Sequence, residues 1–302
     1  MLRLLLAALG KYMSSIGFHA HKFVIFDLVP ESEMQTGRRI EENLNDFFNA
    51  ENNELSCERY KCETEEDVFK AINFIKHDLT SKGIVSYVHI EGHGSREALY
   101  FPGGKFISWS IVFQALREIN ILSKNNLFFS SGACESAYAY KAASITEACP
   151  VFGLLAPEKE VEAGGVEDGF IAFYKSLIKS ESLNDAFNAF ADATDGEKYA
   201  LIFSPHMFEK AAFNYLTQHC MGKGRRKRLE NFVTQAITQT GLPVKKARKA
   251  LKSELYKPQA LALKGFHEKF MMCDLYPENR ARFKFEAVKF ERAVRSEKLK
   301  IA

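Results

Sequence analysis

Two residues have side chains suited to acyl transfer: His93, in Glu91-Gly92-His93-Gly94-Ser95, and Cys134, in Gly132-Ala133-Cys134-Glu135-Ser136. A thiolate, not a thiol, attacks a carbonyl carbon. An imidazole with an ordinary pKa of about 6.5 can take up the thiol proton and later protonate a leaving amine at neutral pH. Cys134 is therefore the candidate nucleophile and His93 the candidate general acid/base. The backbone N–H groups of Gly94 and Cys134 are candidate oxyanion donors, an effect worth about 3–4 kcal/mol per donor in acyl transfer. Taken singly, a cysteine at a strand end is usually packing and a His-Gly pair is uninformative. Their joint placement carries the chemistry.

Each motif ends an apolar run of strand length, residues 84–90 before His93 and 126–131 before Cys134. Gly94 lets the backbone turn tightly, and the small residues after Cys134 open a helix whose amino-terminal dipole favours thiolate. Further strands are expected over 21–29, 55–62, 150–156 and 199–204. Helices are expected over 37–49, from Thr64 to Gly83, and over 110–121, 137–144, 170–179 and 183–193, with a hairpin around Pro102-Gly103-Gly104. Strands alternating with helix-period segments indicate an α/β fold, a mostly parallel sheet flanked by helices. Consecutive parallel strands are usually neighbours, so His93 and Cys134 should project from one sheet edge into a common crevice.

Beyond Pro205 the chain reads as helical over 208–219, 228–240 and 244–255, with breaks at Gly222-Lys223-Gly224 and Gly241-Leu242-Pro243. The expected organisation is an N-terminal helical segment over 1–20, an α/β domain over 21–205 and a basic, mainly helical region over 206–302. The 302 residues, 46% of them hydrophobic and 26% charged, exclude a disulfide-stapled miniprotein, a disordered chain and a fibre. Net charge is +3, but residues 206–302 carry 22 Lys and Arg against 9 Asp and Glu, which leaves −10 for residues 1–205. Such asymmetry calls for an anionic partner or mutual docking. The apolar run over 4–9 is too short for a membrane span, and six cysteines without a CxxC pair read as reduced thiols of a cytoplasmic protein. His89 and His93 have metal-like spacing, but a strand without an HExxH helix argues against a metal, and no cofactor is called for.

The two motifs in this order, each following an apolar strand and separated by a hairpin, resemble the caspase-like (clan CD) cysteine peptidases, with legumains and bacterial CHAT peptidases closest in motif. The resemblance covers roughly residues 20–205. It implies a caspase-type sheet and a Cys134/His93 dyad, with no third member of a triad. Gly132 stands where the stricter Gln-Ala-Cys-x-Gly signature has glutamine, so aspartate specificity is not implied. The loop after the fifth strand, with Glu158, Glu160 and Glu162, helps wall the specificity pocket in such peptidases, and acidic walls would favour Lys or Arg before the scissile bond. A protein substrate, a regulatory protein partner and self-processing in the run 224–228 are the corresponding expectations. Arg225, Arg226, Lys227 and Arg228 could also track nucleic-acid phosphates. One alternative is a glutamine amidotransferase-like hydrolase with Cys134 on a nucleophile elbow and His206, beside Glu209, as base. Another is a non-catalytic caspase-like binding module whose basic helical half binds nucleic acid or a protein.

Overall fold

The near-continuous apolar runs form a sheet covered on both faces, as fully buried parallel strands require. The computed structural model describes residues 20–194 and 198–296, so the helical segment expected over 1–20 lies, apart from Ala20, outside the described residues. The chain runs β1 (Lys22–Asp27), α1 (Thr36–Ala50), β2 (Ser56–Lys61), α2 (Glu65–Lys82), β3 (Ser86–Glu91), β4 (His93–Gly94), β5 (Ala98–Tyr100), β6 (Phe106–Ser108) and α3 (Trp109–Leu122). It continues through β7 (Phe128–Ser131), a 3-10 helix (Ser136–Ala142), β8 (Gly153–Pro157), α4 (Ala163–Ser180), α5 (Leu183–Ala193) and β9 (Tyr199–Phe203). The main sheet has the order β2-β1-β3-β7-β8-β9; every neighbouring pair is parallel except β8 with β9. A second, antiparallel sheet joins β4, β5 and β6. The fold is thus α/β with a mostly parallel sheet flanked by helices, consistent with a caspase-like architecture.

All six residues of both β1 and β3 are buried. Phe23 and Tyr87 are register partners with ring centroids 5.3 Å apart, and Tyr87 stacks on Phe128 at 4.9 Å. Tyr174 of α4 closes this row edge-on, 5.1 Å from Tyr87. Each such buried ring contributes roughly 1.5–3 kcal/mol. Helix α2 begins with a capping box between Thr64 and Asp67 and ends at Gly83 in the left-handed conformation.

Three local readings differ from the structure. Residues 137–144 form no α-helix; a 3-10 helix takes their place. The helix expected over 170–179 begins earlier, at Ala163, so that Gly164 to Asp168 belong to α4, with Val166 buried. The third difference lies in the C-terminal half, whose elements are α6 (Ser204–Tyr215), a π-helical turn (Leu216–Cys220), α7 (Gly222–Thr240), α8 (Val244–Leu255), α9 (Ala260–Phe270), the single turn α10 (Asn279–Arg282) and α11 (Ala287–Arg295). Gly222-Lys223-Gly224 opens α7: Gly222 has φ of 50° just after the π-helical turn, and a Cβ at Gly224 would lie 1.7 Å from the Gln218 carbonyl oxygen. The run 224–228, expected to be a processing site, is therefore helical.

The chain divides into two compact units, residues 1–143 with 148–204, and residues 205–302 with 144–147. No helix among the described residues is long and apolar enough to cross a membrane.

Candidate active site

Four neighbouring strands, β1, β3, β7 and β8, deliver their carboxyl ends to one edge of the sheet, where open α/β folds bind ligands. β3 pairs with β7 over Val88–Phe129, His89–Ser130 and Ile90–Ser131, and the Gly132 N–H extends the ladder by donating to the Ile90 carbonyl at 2.9 Å. The His93 and Cys134 motifs therefore emerge side by side. They are also in contact: a Cβ at Gly94 would lie 2.9 Å from that of Ala133 and 3.0 Å from the Cys134 carbonyl oxygen. Gly94 is required for this close approach and not, as its sequence context suggests, for a tight turn. The positive φ in the motif belongs to Gly92.

The His93 segment is held from behind. Ser95 donates its N–H to the Ala98 carbonyl, closing a hairpin, and the indole Nε1–H of buried Trp109 donates to the Ser95 carbonyl at 2.9 Å. Because bonded and non-bonded pairs alternate in an antiparallel ladder, the Ser95–Ala98 bond makes Gly94–Leu99 a non-bonded pair. The Gly94 N–H consequently points away from the hairpin. The Cys134 N–H likewise has no acceptor among the described residues, whereas its neighbours Ala133 and Glu135 donate to Ser131 Oγ and the Lys159 carbonyl. Two backbone donors on adjoining loops are thus left for a ligand.

The Cys134 thiol is half-buried and points at the Val161 carbonyl, 4.0 Å away. The His93 ring is exposed, and its Nε2–H donates to Glu33 Oε2 at 2.7 Å, which leaves Nδ1 with its lone pair. No hydrogen bond joins His93 to Cys134. Glu33 lies on the loop after β1, 60 positions before His93, and nothing local in the sequence marks it. A second link, from Arg96 Nε to Glu135 Oε1 at 2.7 Å, ties the β4–β5 turn to the Cys134 loop, with Arg96 also over the Tyr138 ring at 4.6 Å. Glu135, the residue after the cysteine, has φ of 55°. In a nucleophile elbow the strained residue is the nucleophile itself, so this turn departs from that pattern.

Beneath the rim is a buried polar network, of which the sequence reading singled out only His89, for its spacing from His93. His89 Nε2–H donates to Glu91 Oε1 at 2.6 Å, and the other Glu91 oxygen accepts from Thr36 Oγ1 at 2.6 Å. His89 Nδ1 meets Ser130 Oγ at 2.8 Å and Tyr174 Oη at 2.7 Å, while those two hydroxyls lie 2.7 Å apart. Gly132 seats on this network: a Cβ there would lie 2.4 Å from Glu91 Oε1 and 2.7 Å from Val166 Cγ1. Among the described residues no group of three or more His, Cys, Asp or Glu side chains could hold a metal ion.

Glu158 and Glu160 are exposed on the loop after β8, whose Val161 carbonyl faces the cysteine and whose Lys159 carbonyl accepts from the Glu135 N–H. His206 belongs to the second unit, where it is half-buried with its Nδ1 buried and unpartnered; burial, and secondarily Lys210, push its pKa down. Burial pushes the Glu209 carboxyl up. The other five cysteines are buried, and burial raises their thiols, to about 12 at Cys62 and about 11 at Cys273. Compared with protein-family models and with curated proteins, the chain matches none of them.

Proposed function

We propose that the chain is a caspase-like cysteine endopeptidase with Cys134 as nucleophile and His93 as general acid/base. The observation that carries this reading is the direct contact between the two motif loops at the ends of adjacent strands, with the Gly94 and Cys134 N–H groups left for an oxyanion. His93 Nδ1 accepts the Cys134 proton. The thiolate then forms a C–S bond to the scissile carbonyl carbon, and the carbonyl oxygen takes the negative charge between the two N–H donors. Collapse breaks the C–N bond as imidazolium protonates the departing amine. Water next adds to the thioester, losing a proton to His93, and the carboxylic acid leaves as the thiolate is restored. Glu33 holds the Nε2–H and stabilises the imidazolium.

Glu158 and Glu160, on the loop whose Val161 carbonyl faces Cys134, are proposed to favour Lys or Arg before the scissile bond. Arg96 offsets Glu135 at the same rim, which leaves these acids in excess. A protein substrate and a regulatory partner within the cell complete the proposal.

The test is labelling of the full chain with peptidyl acyloxymethyl ketones ending in Lys, Arg or a neutral residue, followed by mapping of the adduct. The expected adduct is on Cys134, strongest with the basic probes, and absent from Cys134→Ala and His93→Ala. An adduct on another cysteine, no adduct with any probe, or loss only in His206→Ala would overturn the assignment. Equal labelling by basic and neutral probes would remove the proposed specificity alone.

A further inference from the structure

We infer that the hairpin of α7 and α8 binds nucleic acid through its phosphate backbone, a function independent of the peptidase reading. Residues 222–255 carry ten Lys and Arg against two Glu, a surplus of +8 within 34 positions. On α8, Lys245, Arg248, Lys249 and Lys252 follow one another at offsets of three, four and seven, the spacing of a single helix face. With Val244 they line an open depression of about 400 Å³. At 1.5 Å per residue the row spans about 10 Å, the axial length of about three successive phosphates on one duplex strand. Where α8 ends, Tyr256 carries the row onto α7: Arg225 lies over its ring at 3.7 Å, and the Lys252 ammonium is 5.6 Å from the same ring. Arg226 and Lys227 are exposed next to Arg225.

Little inside the hairpin offsets this charge. Glu230 pairs with Arg248, while Lys245, Lys246, Lys249, Arg226 and Lys227 make no ion pair among the described residues. Folding has therefore placed like charges side by side, an arrangement that destabilises a free protein and favours a polyanion.

The occupant follows from what the apolar side chains do. Leu229 and Val233 of α7 pack with Ala247 of α8, and Ala236, Ile237, Leu251 and Leu255 complete that seam. The apolar stripe of α8 is used up within the hairpin, so no apolar face remains to enter the acyl region of a membrane. The exposed Leu242 and Val244 lie in the connecting turn and at the first position of α8. An acidic protein surface intersperses carboxylates with its own cations, whereas a nucleic-acid backbone presents anions alone at regular spacing. The cationic row, in which Arg248 is paired with Glu230 and the three lysines are not, suits the backbone.

The experiment is fluorescence anisotropy of the full chain with labelled single-stranded RNA, single-stranded DNA and duplex DNA of thirty mixed positions, in 50 to 200 mM salt. Four phosphate contacts predict that affinity falls roughly 50- to 150-fold across that range. The variant Lys245→Gln, Arg248→Gln, Lys249→Gln, Lys252→Gln should flatten the salt slope by about three to four. The variant Lys245→Arg, Lys249→Arg, Lys252→Arg should retain binding. Bound oligonucleotide should also protect Lys245 and Lys249 of the unmodified chain from amine acylation, a readout that needs no substitution. Three outcomes would each overturn the proposal: no binding to any oligonucleotide at 50 mM salt, unprotected Lys245 and Lys249 in the bound state, or tighter binding to polyglutamate or phosphatidylserine vesicles than to every oligonucleotide.

Discussion

Cys134 differs from the other five cysteines in one respect that chemistry can read directly: its thiol is half-buried, and theirs are buried. Reaction of the native chain with a small aromatic disulfide should therefore release one fast equivalent, and denatured chain should release six. Several fast equivalents, or a fast equivalent that survives Cys134→Ala, would contradict the burial pattern. Around this residue the readable and the unreadable parts of the sequence separate cleanly. His93, Gly94 and Cys134 are legible because each sits beside an apolar run that predicts a strand end. Glu33 is not, since its hydrogen bond to His93 joins exposed side chains sixty residues apart, and only the order β2-β1-β3 brings the loop after β1 beside the end of β3.

At the scale of elements, the β3–β7 pair is the structural unit of the site, and Gly132 is its most constrained point. Glu91 is fixed there by His89 and Thr36 and has no room to withdraw from an added methyl group. Gly132→Ala should lower stability by about 1–3 kcal/mol, the usual cost of overpacking a filled interior. Urea unfolding would measure it, and a change within error of zero would refute the tight seat. The strands themselves were readable from apolar runs, with ends shifted by at most three residues. Their polar interior was not: His89 and Glu91 look like solvated or ligating residues until Ser130 and Tyr174, from β7 and α4, are seen to satisfy His89, and His89 and Thr36 to satisfy Glu91. The glycines at 164, 165, 222 and 224 misled for the opposite reason. Glycine signals a break when nothing else is known, yet all four lie within helices here, and Gly224 answers a neighbouring carbonyl.

At the scale of the molecule, two compact units of opposite charge should respond differently to acid. In the second unit, His267 is buried between Phe208 and Phe285, with ring centroids 5.0 Å away on each side, and burial pushes its pKa down to about 4. The unfolded chain binds a proton at this residue near pH 6.5, but the folded chain binds it only near pH 4. Stability from this group is therefore complete above about pH 6.5 and lost as pH falls toward 4, by roughly 3 kcal/mol in all. The melting temperature of the helical unit should drop over that window, and His267→Phe should shallow the drop. An identical acid profile in the variant would assign the effect elsewhere. The charge asymmetry behind this division was plain in the sequence, whereas α9, α10 and α11 were not anticipated, because their short amphipathic stretches lack clear stop signals.

Trp109 is the sole tryptophan of the chain, and its indole is bonded to the carbonyl of the residue after Gly94. Emission excited at the red edge of protein absorbance consequently originates at one place, directly behind the histidine hairpin. The chain thus carries an intrinsic optical reporter, and a peptide settling against that hairpin can be followed in real time without dye or tag.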